Sequence, residues 1–173
     1  MIGGDCPFLR AMVQKTSDAG FSAPLITQEI ASYLLDHHVA EQIAAVNAGY
    51  RTKAVQVKKW IDETVGSALQ SCTGGQAGFY FYLTFRNIET TENSRFFRYL
   101  ARTTSDDSID GLPAYKTPRV IYVPGEFCVH PKGDLAEIGK RQLRLSYGFE
   151  ETARIHEALL LMQEAVAYAG NTM

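Results

Sequence analysis

The longest hydrophobic pattern in the 173-residue chain runs from about residue 39 to residue 69. Apolar side chains recur there at three- and four-residue spacing, which is typical of one face of an α-helix. At 1.5 Å per residue this helix would be roughly 45 Å long, whereas a chain of this size has a radius of gyration of about 15–16 Å. The pattern therefore predicts a helix that joins two bodies. Its apolar face carries Ile43, Val46, Tyr50, Ala54, Val57, Ile61 and Val65.

The pattern changes to a two-residue period in the second half of the chain. Phenylalanine and leucine alternate with more polar residues over 76–86, which predicts a strand with both faces covered. Two short apolar segments, 119–123 and 142–147, are predicted to join it in one sheet. Helical spacing returns over 92–102 and 150–169, so we expect these helices to cover the sheet. The sequence thus predicts an α+β fold with a small mixed or antiparallel sheet, preceded by the long helix.

Composition and charge argue against nucleic-acid-binding and membrane-spanning functions. The net charge is −2, so the chain has no basic excess that would follow a nucleic-acid backbone. No apolar run is long enough to cross a membrane, and no signal segment opens the sequence. The three cysteines are scattered, which favours reduced thiols in the cytoplasm over a disulfide framework. We therefore predict a cytoplasmic protein without a nucleic-acid or membrane partner. These cysteines are Cys6, Cys72 and Cys128.

Arg144 is the principal candidate for a binding residue, because it lies between two leucines on a short apolar strand. Its neighbours are predicted to be buried, and a buried guanidinium requires a partner. The planar group fits a carboxylate or a phosphate with two parallel hydrogen bonds. An internal ion pair with an aspartate or glutamate explains the same pattern. Both interpretations remain open on the residues alone.

Other residues give weaker signals. The turn Pro124-Gly125-Glu126-Phe127 either reverses the chain, which glycine permits, or also brings Phe127 to a ligand side chain. Cys128 and His130 lack a second pair of ligands at metal spacing, and the adjacent His37 and His38 diverge on a helix. We therefore predict no metal site. No Ser/His/Asp triad, phosphate-binding loop or pair of catalytic carboxylates stands out.

The order of these motifs resembles the end of the class I/II pyridoxal-phosphate aminotransferases, which have the aspartate-aminotransferase fold (fold type I). The similar features are a strand that ends in the Pro124–Phe127 turn, a polar loop, the strand Leu143–Tyr147 and an amphipathic helix to the C-terminus. The valine–pyruvate aminotransferase branch is the most similar in appearance. The resemblance covers nearly all of this chain, but only about the last two-fifths of a typical family member.

The resemblance implies a function for the intact protein, which would transfer an amino group between an amino acid and a 2-oxo acid with pyridoxal phosphate as cofactor. It implies that Arg144 binds the substrate's α-carboxylate. The family's Schiff-base lysine precedes an Arg-x-Gly motif, and Ile2-Gly3-Gly4 resembles the end of that motif. By this match the lysine would precede Met1, so no catalytic or cofactor-binding residue is predicted in this chain. Lys15 lacks the flanking motif and is not a candidate.

The resemblance further implies a C-terminal fragment that is inactive alone. We predict that residues 1–38 are the end of the large domain and a linker helix, that 39–69 form the interdomain helix, and that 70–173 form the small domain. A fragment of this kind leaves apolar surface uncovered. We therefore expect self-association, for example as a homodimer, through residues 2–13 and the outer face of the long helix.

Two other functions stay open. The chain could be a non-catalytic module that binds an amino acid or organic acid through Arg144. It could also be the effector domain of a pyridoxal-fold transcription regulator, which would need a DNA-binding region before this chain. The absence of catalytic groups favours the binding module, whereas a long helix without its second body counts against it.

Overall fold

A computed structural model describes residues 5–18, 24–111, 113 and 116–170 of the chain. These residues form seven α-helices and four β-strands. Contacts divide them into two units, one up to Val46 and one from Asn47. None of the described helices has the length and apolar composition needed to cross a bilayer. In chain order the elements are α1 (Pro7–Asp18), α2 (Leu25–His37), α3 (Val39–Thr64), β1 (Leu69–Gly74), β2 (Tyr80–Phe85), α4 (Arg95–Ala101), α5 (Asp107–Asp110), β3 (Val123–Pro124), α6 (Ala136–Gly139), β4 (Gln142–Ser146) and α7 (Thr152–Gly170).

The four strands form one antiparallel sheet in the order β1-β2-β4-β3. β2 and β4 pair along their whole length, with Tyr82 directly opposite Arg144. On the other side of β4, β3 pairs only at Val123–Arg144 and Pro124–Leu143. The predicted α+β fold with one small sheet is confirmed, and each of the three predicted segments contributes to that sheet, the segment 119–123 only through Val123.

One face of the sheet meets the hydrophobic core. Because side chains alternate along a strand, Phe81 and Leu83 of β2 point to the same face as Leu143 of β4, and all three are almost completely inaccessible. α3, α4 and α7 supply most of the other core residues. The helical spacing predicted over 150–169 is confirmed in α7, whose apolar stripe of Ile155, Leu159 and Met162 is buried. The core residues on these helices include Val57, Ile61, Phe96, Leu100, Ile155, Leu159 and Met162.

The long helix ends earlier than predicted. α3 stops at Thr64, Gly66–Ala68 form a 3-10 turn, and Leu69 begins β1. The prediction that the helix reaches residue 69 was wrong because Leu69 pairs with Phe85 across the sheet and is buried there. β1 itself was missed, because its sequence is mostly polar and it lies at the edge of the sheet, where a strand needs little apolar surface.

The strand predicted over 119–123 is reduced to Val123 and Pro124. The Val120 N–H donates to the Leu100 carbonyl of α4 at 3.0 Å, and the Tyr122 hydroxyl donates to the Thr90 carbonyl at 2.8 Å. These bonds hold the segment before β3 against other elements. It therefore joins the ladder of β4 only at its last two residues.

The turn after β3 lies very close to β4. A Cβ atom at Gly125 would lie 2.8 Å from the Gly139 carbonyl oxygen and 2.9 Å from that of Gln142. The φ angle of Gly125 is outside the left-handed region. The turn itself is present as the 3-10 segment Gly125–Cys128, and glycine is needed at its first residue for the close backbone approach and not for a positive φ.

Candidate functional site

Arg144 lies on the face of the sheet opposite the core. Leu143 is fully buried and Leu145 is half-buried, whereas the Arg144 side chain is exposed. The expectation that Arg144 is buried with its neighbours was wrong, because alternation along β4 turns residue 144 away from the core. An exposed guanidinium does not need an internal partner to offset desolvation.

The guanidinium of Arg144 lies over an aromatic ring. Its central carbon is 4.5 Å from the centroid of Tyr80. None of the ion pairs within the described ranges includes Arg144. The internal ion pair that we considered as an alternative is therefore not formed there. A guanidinium that lies over a ring keeps its N–H groups at the edge of its plane, where they can donate hydrogen bonds to a carboxylate.

A hydrogen-bonded group of side chains fixes the sheet beside Arg144. The Tyr82 hydroxyl donates to Gln142 Oε1 at 3.2 Å, and Gln142 Nε2 donates to Thr84 Oγ1 at 3.1 Å. Burial, with a smaller contribution from Cys128, raises the pKa of Tyr82 above its ordinary value. Tyr82 therefore stays a neutral donor at physiological pH. These hydrogen bonds connect the side chains of β2 and β4 directly beside Arg144.

Arg144 also lines a groove of about 580 Å³ at the β3 edge of the sheet. This volume lies in the range of small-molecule sites, roughly 300–1,000 Å³. Most of its lining is apolar, and its charged groups include Arg119 and the pair Arg154–Glu150, whose side chains are 3.0 Å apart. The apolar lining includes Val120, Ile121, Val123, Leu145, Leu161 and Met162.

Phe127 does not line this groove. It lies on the 3-10 turn Gly125–Cys128 that follows β3, and 63% of its surface is exposed. Phe127 and Arg144 therefore lie on different elements, with α6 between them in the chain, and Phe127 is not part of the groove at Arg144. The hypothesis that Phe127 contacts a substrate stays a prediction.

The weaker candidates do not gather into a site. Among the described residues no group of three or more His, Cys, Asp or Glu side chains could hold a metal ion. Cys128 and His130 are exposed near the turn, and His37 and His38 lie beside the ring of Tyr33. Lys15 is exposed on α1. Ile2-Gly3-Gly4 lies outside the described residues.

Sequence reasoning missed Tyr80 and Tyr82. Both were assigned only to the alternation of β2. Their relation to Arg144 depends on the register Tyr80–Ser146 and Tyr82–Arg144 between two strands far apart in sequence. The only local signal was that an aromatic strand and a strand with a central arginine were predicted for one sheet.

Comparison with solved structures finds similarity to part of an aminotransferase. LysN, an α-aminoadipate aminotransferase from Thermus thermophilus, was solved in complex with N-(5'-phosphopyridoxyl)-L-leucine. It superimposes with a TM-score of 0.68 and 23% sequence identity. The match covers 92% of this chain but only 35% of that enzyme. No family profile matches the sequence, and no curated protein sequence matches it. The chain therefore shares the fold of part of an aminotransferase of fold type I.

Proposed function

We propose that this chain is the C-terminal domain of a pyridoxal-phosphate-dependent aminotransferase, in which Arg144 binds the α-carboxylate of the substrate. The observation that carries this proposal is the guanidinium of Arg144, which is exposed, lies over the ring of Tyr80 and has no ion-pair partner in the described ranges. The fold that presents it is similar to part of such an enzyme. In this position Arg144 would orient the substrate and restrict the rotation of its Cα substituents, which is a positioning effect.

The residues of this chain do not fit the cofactor by themselves. Pyridoxal phosphate requires a lysine amine for its Schiff base and a partner for its pyridine nitrogen. The groove that contains Arg144 is lined by arginines and glutamates but by no lysine. We therefore assign this chain the substrate's carboxylate only. The cofactor site would belong to the part of the fold that has no counterpart here, since the match spans 35% of the Thermus enzyme.

The α-carboxylate is the feature that the suggested substrates have in common. The sequence resemblance indicates valine and pyruvate, whereas LysN is named for α-aminoadipate and was solved with a leucine adduct. Each of these compounds has the same carboxylate, and they differ in the side chain. Arg144 would therefore serve amino acids and 2-oxo acids in general, whereas groups elsewhere would select among them.

The proposal predicts selective binding of carboxylates to the chain itself. We expect 4-methyl-2-oxopentanoate to shift the NMR signals of the Arg144 Nε–H and of the β4 amides in a saturable manner, and 3-methylbutylamine to leave them unchanged. An exposed ion pair contributes at most about 1 kcal/mol, which alone corresponds to a Kd of roughly 0.2 M, so the titration must extend to several hundred millimolar ligand. Arg144→Ala should abolish the shifts of the β4 amides.

Arg154→Ala is the matched control for this titration. Arg154 lines the same groove but is already paired with Glu150, so its removal should leave the titration of β4 nearly unchanged. Equal shifts with the carboxylate and the amine, or full binding by the Arg144→Ala variant, would contradict the proposed function.

We further expect no transaminase activity from the 173-residue chain after addition of pyridoxal phosphate. The physical reason is that no lysine lines the groove at Arg144, so the amine for a Schiff base is not supplied beside the substrate's carboxylate. Absorbance of an internal aldimine and borohydride trapping followed by peptide mass spectrometry check this. One defined, fully modified lysine together with turnover would show that the interpretation is wrong.

The first unit of the chain is proposed to self-associate. Large apolar side chains of α2 and the first turns of α3 are exposed, among them Ile26 at 72% and Ile43 at 53%. Apolar surface of this kind usually marks an interface. We expect dimers or larger species in sedimentation at micromolar concentration. Ile43→Glu should shift the chain towards monomer, whereas Phe149→Glu, at a 96% exposed position outside the long helix, should not. A monomer at all concentrations would contradict this.

A further inference from the structure

We propose that Tyr80 is a positioning residue for Arg144. Its ring holds the guanidinium in an orientation from which the N–H groups can donate to a carboxylate. The inference rests on the proposed function of Arg144 and assigns a role to a residue that touches no substrate. The guanidinium carbon of Arg144 lies 4.5 Å from the ring centroid of Tyr80.

The register of the sheet produces this stack. Tyr82 is directly opposite Arg144, and Tyr80 is directly opposite Ser146. Tyr80 is therefore the diagonal neighbour of Arg144 on the same face, at a distance that a long side chain and an aromatic ring can cover. Tyr80, Arg144 and Ser146 all line the same groove. The contact is thus a regular consequence of strand pairing, and does not depend on a loop.

The ring of Tyr80 is itself held in place. It is half-buried, and its centroid is 4.4 Å from that of Phe79. The backbone around it is also fixed, because the Tyr147 N–H donates to the Phe79 carbonyl at 2.9 Å and the Gly75 N–H donates to the Tyr80 carbonyl at 3.3 Å. Arg144 therefore rests on a surface whose orientation is set by both neighbouring elements.

The consequence for binding is pre-organisation. A free arginine side chain samples many rotamers and loses this freedom when a carboxylate binds. A stack on Tyr80 removes much of that freedom beforehand and leaves the N–H edge open, so less entropy is lost on association. The hydroxyl of Tyr80 has no role in this mechanism, and the aromatic face alone is required.

The test compares Tyr80→Leu and Tyr80→Phe in the 173-residue chain. We expect Tyr80→Leu to lower the NMR order parameter of the Arg144 Nε–H and to weaken 4-methyl-2-oxopentanoate binding about two- to fivefold, the size of an exposed cation–π contact. Tyr80→Phe should preserve both. A purely structural role would change thermal stability in both variants without changing the mobility of Arg144.

A second stack in the same unit supplies the matched control. The guanidinium carbon of Arg95 lies 4.5 Å from the ring of Tyr168 on α7, outside the groove. Tyr168→Leu should leave the Arg144 signal and carboxylate binding unchanged. If Tyr80→Leu leaves both readouts unchanged while Arg144→Ala abolishes binding, the role of Tyr80 is refuted and the function of Arg144 stands. If Arg144→Ala also retains binding, the proposed function fails first, and with it this role for Tyr80.

Discussion

Replacement of Arg144 by alanine is expected to lower kcat/KM for amino acids about thirty- to several-thousand-fold in an enzyme that contains this chain and the rest of the fold. Truncation of one partner of a shielded, charge-assisted pair costs about 2–5 kcal/mol, and each 1.36 kcal/mol is roughly tenfold in rate. The large value applies because the remainder of the enzyme would exclude water from a side chain that is exposed here. Arg144→Lys should recover little, because an ammonium cannot form the bidentate contact.

Steady-state kinetics with an amino acid and its decarboxylated amine test this expectation. A suitable enzyme is a chimera in which this chain replaces the matched 35% of LysN. We expect the mutation to affect the amino acid and to leave the amine nearly unchanged, with the cofactor still bound. An equal loss on both substrates would mean that Arg144 supports the fold and does not bind the carboxylate.

Replacement of Tyr147 by alanine is expected to lower the free energy of unfolding by about 3–5 kcal/mol, as for other large aromatic residues in a core. Tyr147 is 1% exposed, and its ring centroid is 5.1 Å from that of Phe81. Its hydroxyl donates to the Gly78 carbonyl at 3.0 Å, which ties the end of β4 to the β1–β2 turn. The melting temperature should fall by roughly 2–4 °C for each kcal/mol.

Tyr147→Phe separates the two contributions of this residue. It removes the hydroxyl and keeps the ring, so the expected loss is only about 0.5–1.5 kcal/mol. Urea denaturation followed by circular dichroism measures both variants. Equal losses in the two variants would show that the hydrogen bond to Gly78, and not the packing of the ring, carries the stability.

The sequence was sufficient for those parts of the fold that local periodicity encodes. The stripe on α7 and the alternation of β2 are repeated within a few residues, so they identify a helix and a strand without knowledge of the partner elements. The strand that carries Arg144 was found for the same reason. By contrast, β1 is polar and lies at the edge of the sheet, so its pairing with β2 depends on the hairpin and the core rather than on its own residues.

The candidate site shows the same limit. That Arg144 could bind a carboxylate followed from its chemistry and from a resemblance. Its exposure and its stack on Tyr80 depend on which residues of β2 and β4 face each other, and this register is fixed by the whole sheet. The segment before Val123 was predicted as a strand for a related reason. The hydrogen bond from Val120 to α4, which takes the place of pairing with β4, cannot be foreseen from the local sequence.

In the turn after β3, Gly125 is in close contact with β4 and cannot be replaced, whereas Phe127 is exposed and can be replaced. Any side chain at residue 125 would collide with the backbone of Gln142 and Gly139, so substitution there would push β3 away from Arg144. Phe127, two residues later, projects into solvent. Residue 127 can therefore be varied while β3 and the strand that presents Arg144 keep their shape, so the predicted contact of Phe127 with a substrate can be tested without disturbing the arginine.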